Sequence, residues 1–232
     1  MINPRKSAIL IAVLFIIATV ASVLAAVLIG PVFAEPDYLG AAATNANAVT
    51  MAAVSMLVAA AAIVGIPITL FPIIRLHSAT LSLWFLVARF SEAILYAIGA
   101  LFTLVLLSLA REYATTSAPD VSYFETLGAV VRAASDTAFN LGTVLIFSLS
   151  AVILGIIFYQ TKLVPNWLSI WKIVGGVLLF VQGLLVLFNL ATPAIEATLF
   201  IPIAVNEMVL AVWLIVKGFD VSAMSNLSKE AA

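Results

Sequence analysis

The chain has no cysteine, a single histidine (His77), and charge on only 9% of its 232 residues. Without cysteine there is no disulfide, no thiolate nucleophile and no thiolate metal site. One imidazole excludes a zinc or haem centre built from several histidines of one chain. There is no G-x-S-x-G elbow, no H-E-x-x-H pair and no phosphate-cradling glycine loop, so the usual marks of hydrolase, metalloprotease and nucleotide chemistry are missing. Net charge is −1 and no basic block occurs, which leaves no electrostatic footprint for nucleic acid. No metal and no cofactor are expected.

What is present is hydrocarbon. Hydrophobic residues make up 65% of the chain, with a mean hydropathy of +1.25. A soluble domain carries about 25% charged residues, so this composition describes an integral membrane protein. Six segments reach the roughly 20 apolar residues that a bilayer crossing requires: residues 7–30, 48–74, 79–110, 137–160, 167–190 and 197–216. In lipid these must be helices, because every backbone group needs an internal partner and no barrel-type alternation is visible. The expectation is one all-α transmembrane domain over residues 1–232, a six-helix bundle whose environment is the lipid bilayer of a plasma membrane.

The basic residues give an orientation. With a cytoplasmic N-terminus, that side receives Arg5, Lys6, Arg75, Lys162, Lys172, Lys217 and Lys229. The other side receives Arg111 and Arg132 beside Glu35, Asp37, Glu112, Asp120, Glu125 and Glu196. The four tryptophans, Trp84, Trp167, Trp171 and Trp213, fall at the cytoplasmic ends of their spans, as an interfacial aromatic belt does. An even number of spans returns the C-terminus to the cytoplasm. A rival reading takes residues 1–35 as a cleavable leader, with Arg5-Lys6, an apolar run, and Val32-Phe33-Ala34 before Glu35. The run exceeds the roughly 7–15 residues of a leader's apolar core and suits a retained span better.

Short links, Arg75 to Ser78 and Thr161 to Asn166, make hairpins of spans two and three and of spans four and five. The links on the other side, 31–46 and 111–134, are longer. Within the second, residues 122–136 have helical spacing and extend the fourth helix into the headgroup layer. Pro67, Pro72 and Pro202 lie inside spans. Pro202 either exposes carbonyls near Glu207 by a kink or is a proline that a membrane helix simply tolerates.

Three charges sit where lipid forbids them: Arg89 and Glu92 in the third span and Glu207 in the sixth. Ser82, Arg89, Glu92, Tyr96, Gly99 and Thr103 step by seven, three, four, three and four residues, so they share one helix face. Arg89 and Glu207 each lie ten residues into their spans, about 15 Å deep and near the midplane. Arg89 reaches Glu92 along its own helix and, with its planar fork, a facing Glu207. One guanidinium against two carboxylates leaves a charge shortfall, so one carboxyl is expected to hold a proton. Arg89, Glu92, Glu207, Asn206 and Tyr96 are the candidate binding or proton site. The alternative is a clasp that fixes helix register.

A second stripe on the fourth span, Arg132, Asp136, Asn140, Thr143, Phe147 and Ser150, begins at the outer surface and fades inward. With Gln182, the residues Arg132, Asp136 and Asn140 form a candidate outer vestibule; the plainer reading is an interfacial ion pair and interhelical hydrogen bonds. Gly175, Gly176 and Gly183 permit close helix packing. His77 reads as a surface residue in a turn.

Three stretches resemble the domain-of-unknown-function 4386 family of bacterial and archaeal membrane proteins. They are Arg89-Phe90-Ser91-Glu92-Ala93 with Tyr96 and Gly99; Lys162-Leu163-Val164-Pro165-Asn166-Trp167-Leu168-Ser169 with Gly175-Gly176; and Asn206-Glu207-Met208 with Trp213-Leu214-Ile215-Val216-Lys217-Gly218-Phe219. The resemblance covers about Leu70 to Phe219, and the first span carries no mark of the family. It implies multi-span architecture, singles out the same charged residues and implies no reaction. Three functions then stand side by side: small-solute or ion transport or ligand binding at the midplane cluster; a structural or accessory subunit, with a homo-oligomer among its forms; and an intramembrane enzyme, for which no nucleophile or metal is visible.

Overall fold

The computed structural model describes residues 4–115 and 121–230, which leaves Asp120 and residues 116–120 of the expected second long link outside it. The described residues are helical and contain no strand. In chain order the helices are α1 (Pro4–Ala34), α2 (Tyr38–Thr44), α3 (Ala46–Ile74), α4 (Ala79–Tyr113), α5 (Val121–Phe139), a π-helical segment (Asn140–Ile146), α6 (Phe147–Thr161), α7 (Asn166–Leu187), α8 (Pro193–Val216) and α9 (Val221–Glu230). Six stretches are long and apolar enough to cross a membrane, and the fourth of them, Ser122–Thr161, runs 40 residues through α5, the π segment and α6. The chain is therefore a multi-pass membrane protein by length and composition.

Helix ends sit where local chemistry stops them. Ser78 accepts from Leu81 N and opens α4; Thr192 accepts from Ile195 N and opens α8, with Pro193 at the first helical position, where its missing N–H costs nothing. This start lies four residues before the one expected from hydropathy. Asn189, at φ 56°, follows the end of α7, and that helix stops three residues before the end of its apolar run. Two short helices were not expected. Asp37 caps α2 by accepting from Gly40 N at 3.0 Å. Asp220 caps α9, taking hydrogen bonds from the Ser222 hydroxyl and, at 2.9 Å, from Ala223 N. That pairing holds the Asp220 carboxyl below the usual aspartate range.

The spanning helices follow one another around a closed ring: α1 on α3, α3 on α4, α4 on the π segment and α6, α6 on α7, α7 on α8, and α8 back on α1. The two short links make hairpins of α3 with α4 and of α6 with α7, as expected. α1, the segment that also reads as a leader, is built into this ring. Ala18, Ala21 and Ala25 on α1 face Ala52, Ala59 and Ala62 on α3, small residues that let two backbones approach closely.

The two ends of the ring differ. At the end that carries Arg5, Arg75, Lys162 and Lys217, hereafter the basic end, one apolar core fills the interior. It draws Phe15, Ile66, Phe85, Phe158 and Leu214 from five helices and Leu227 from α9. Arg5 ties this end together by donating to the carbonyls of Leu214 and Ile215. Toward the opposite end the packing divides into separate clusters, one among α1, α2, α3 and α4 and one among α6, α7 and α8. Space opens between them. The outward face is apolar, with Val27, Val58, Trp84 and Ile94 exposed as lipid-facing residues are.

Candidate intramembrane site

The polar face of α4 turns inward, as its spacing requires: Ser82, Arg89, Glu92, Tyr96 and Thr103 are all buried. Arg89 Nη1 lies 3.0 Å from Glu92 Oε2, one turn along, and the guanidinium sits 5.3 Å from the centre of the Phe147 ring. Neither partner is fully satisfied. Arg89 Nε has no acceptor, and Glu92 Oε2 makes no aligned hydrogen bond. A buried polar atom without a partner is costly, so such atoms mark places that are strained or that receive something.

Glu207 does not pair with Arg89. Its Oε1 lies 3.2 Å from Lys172 Nζ, and Lys172 is 1% exposed. The reason is register. Gly175 on α7 approaches α8 so closely that a Cβ there would stand 3.1 Å from Ile203 Cα. From that contact, three residues back along α7 and four forward along antiparallel α8 bring Lys172 to Glu207. The lysine stem runs inward instead of snorkelling to the surface, and its ammonium also lies 5.4 Å from the Phe15 ring centre. Two cations thus stand against two carboxylates, and the expected shortfall of one positive charge does not exist. Next to this pair, Asn206 donates from Nδ2 to Leu168 O at 3.1 Å while its Oδ1 has no partner.

Arg89, Glu92 and Glu207 line one wall of a cavity of about 150 Å³ between α1, α4, α8 and the π segment. A second cavity, of about 330 Å³, continues toward the end opposite the basic one, as far as Phe33 and Asp136. The two share Ser22, Val23, Tyr96, Thr143 and Phe200. They form one cleft from the Asp136 end to the midplane charges, with apolar walls and a charged floor. Tyr96 stands at the junction, its ring 6.0 Å from that of Phe139.

Thr143 was part of the fourth-span stripe, and the π segment changes what it does. Thr50, Thr69, Thr103 and Thr161 each give their hydroxyl to the carbonyl four residues back. Thr143, inside the π segment, lines the cleft, and its buried Oγ1 has no partner. Wider turns of this kind occur mostly as local bulges, often at functional positions.

The expected vestibule splits. Asp136 lines the outer cavity. Arg132 guards its rim: Nη1 donates to Phe33 O at 2.9 Å, and the guanidinium lies 5.2 Å from the Phe33 ring centre and 5.4 Å from that of Tyr38. The Arg132–Asp136 contact is loose, 4.0 Å. Asn140 and Gln182 are buried and do not line either cavity of the cleft; each keeps an unpartnered amide oxygen. Asn140 opens the π segment and Gln182 sits on α7, so the vestibule is narrower than expected. His77 is held by Gln160, with Nε2 at 2.8 Å from Oε1. Among the described residues no three His, Cys, Asp or Glu side chains gather as a metal ion requires.

The family model described as "Domain of unknown function (DUF4386)" matches residues 10–218. The match begins inside α1, so the first span, which carried no recognisable mark, is part of the family's fold. No curated protein and no solved structure matches the chain.

Proposed function

The chain belongs to the DUF4386 family, and from that premise we propose that it binds a small amphipathic solute within the membrane and, in a transport cycle, passes it along the cleft. The observation that carries this reading is the continuity of the cleft with the charged floor. A concave, mostly apolar pocket with a few convergent polar groups is the usual form of a small-molecule site. Its walls suit a hydrocarbon body. Its floor holds Arg89, whose buried Nε lacks an acceptor, and the Glu207 carboxylate, paired through Oε1 with Lys172, in a setting that is formally neutral. A neutral or zwitterionic head fits that floor better than a singly charged one, which would unbalance it. Entry is from the Asp136 end, past Arg132 and Phe33. The excess of basic residues at the opposite end supports a topology with both termini on the cytoplasmic side of a cell membrane and the cleft opening toward the outer leaflet.

The second reading is a structural clasp, favoured by the two balanced pairs, Arg89–Glu92 and Lys172–Glu207. Thr143→Val separates the two. The Thr143 hydroxyl bonds nothing, so its loss is neutral or slightly stabilising for the fold. The protein is placed in lipid nanodiscs and titrated with ten-carbon amphiphiles carrying amine-oxide, ammonium or carboxylate heads, and thermal stability is read. The binding reading expects saturable stabilisation by the amine oxide, weakened by Thr143→Val with the unliganded melting temperature unchanged. Equal responses to all three heads, unaltered in the variant, leave the clasp.

A further inference from the structure

A separate cavity of about 420 Å³ opens at the basic end, between the α6–α7 turn and the α8–α9 turn. Lys162, Asn166, Trp213, Lys217 and Asp220 are among its walls. It shares no lining residue with the cleft and is not explained by it.

Four features of this cavity point the same way. Lys162 and Lys217 are both exposed, and neither has an ion-pair partner among the described residues. The one carboxylate in the wall, Asp220, is directed to the cap of α9, and two lysines against one aspartate leave the lining net positive. The pocket is fixed in shape, because Asp220 N donates to Leu163 O at 3.0 Å and joins one turn to the other. Lys162 ends α6 in the left-handed region, at φ 55°, a position where glycine or asparagine is usual and a lysine is strained. The strain is held where it presents an ammonium to the pocket, and strain of this kind gathers at binding and switch positions.

Depth is set by tryptophan. Trp213 lines the pocket and lies 6.4 Å, ring centre to ring centre, from Trp167, which in turn lies 6.3 Å from Trp171. Such indole groups settle at the level of lipid headgroups. Below them α9 turns Ala223 and Leu227 into the core, which fixes the α8–α9 turn that forms one side of the pocket.

We propose that this pocket binds the phosphate of an anionic phospholipid headgroup, with Lys162 and Lys217 as its cationic jaws and Trp213 as its membrane-side wall. Basic pockets between helices at one membrane face recognise anionic headgroups by this chemistry. A lipid is favoured over free phosphate because the lysines open at headgroup depth, where acyl chains have the exposed apolar flanks of α7 and α8 to lie against.

The test uses the full chain, purified in a neutral detergent and supplied with phosphatidylglycerol, phosphatidylcholine or glycerol 3-phosphate. Lipid retention is read by native mass spectrometry and protein stability by thermal melting. The wild type is expected to retain phosphatidylglycerol over phosphatidylcholine. K162Q and K217Q should each lower that retention about fivefold, and the double variant about 30-fold. K162R/K217R should keep it, which separates charge recognition from misfolding, as does an unchanged melt of K162Q/K217Q in phosphatidylcholine. Equal retention of the two lipids, or retention of phosphatidylglycerol undiminished in K162Q/K217Q, would overturn the assignment. So would stabilisation by glycerol 3-phosphate as strong as that by phosphatidylglycerol, which would make this a site for a soluble phosphate.

Discussion

Replacing Lys172 by methionine should be among the most damaging single changes in this chain. Methionine keeps the unbranched stem against Phe15 and removes only the ammonium. What remains is Glu207, without its partner at 3.2 Å and away from bulk water. Breaking a buried ion pair from one side costs about 3–5 kcal/mol. Glu207 keeps 14% exposure of its side chain, through the cavity it lines, which places the cost near the lower end, about 3 kcal/mol. Adding Glu207→Gln removes the orphaned charge, so the double variant should recover about 2 kcal/mol of the loss as coupling. The assay is reversible unfolding in mixed micelles by titration with sodium dodecyl sulfate, followed by far-ultraviolet circular dichroism, for wild type, both single variants and the double. A parallel cycle on Arg89→Met and Glu207→Gln, which share the cavity but make no ion pair, should show a smaller coupling than the Lys172–Glu207 cycle. The reasoning is refuted if the Lys172 and Glu207 costs simply add while Arg89 and Glu207 couple.

Two further outcomes follow from the same geometry. Gly175→Val drives a branched side chain against Ile203 Cα and should cost about 1–3 kcal/mol in the same unfolding assay, whereas Gly30→Val, where a Cβ meets nothing, should cost much less. The α9 cap should depend on pH: the Asp220 carboxyl is held below its ordinary range, so its contribution is fully present above about pH 4 and lost as pH falls through the folded value. Hydrogen exchange of α9 amides, corrected for intrinsic rates, should therefore accelerate only on acidification, and Asp220→Asn should remove that dependence while keeping the cap.

Much of the architecture was legible because the bilayer imposes simple lengths. Six apolar runs became six crossings, and the inward face of α4 followed from the spacing of Arg89, Glu92, Tyr96 and Thr103. Lys172 was misread for an understandable reason. Six residues into its helix and flanked by Trp167 and Trp171, it has the marks of an interfacial lysine. Its partner depends on how deeply α7 and α8 slide past each other, and that is set by one glycine contact between helices. Asn140 continues the Arg132–Asp136 spacing but opens the π segment, where the turn widens. Gln182, expected at the vestibule from its depth on the fifth span, lies on α7 away from the cleft. Thr143, on the same stripe as Asp136, lines the cleft with it, and its hydroxyl has no partner. The helices α2 and α9 were invisible to hydropathy because short helices of this kind depend on a cap and on what they pack against.

The central claim is that the cleft joins the Asp136 end to the charges at mid-membrane, and the absence of cysteine makes it directly measurable. Single cysteines at Ala204, which lines the inner cavity, and at its neighbour Val205, which is 44% exposed on the lipid side, can be tested in reconstituted vesicles with a membrane-impermeant cationic thiosulfonate. The account predicts modification of Ala204→Cys from the Asp136 side and none of Val205→Cys. Protection of both, or reaction of Ala204→Cys only from the basic end, would contradict it.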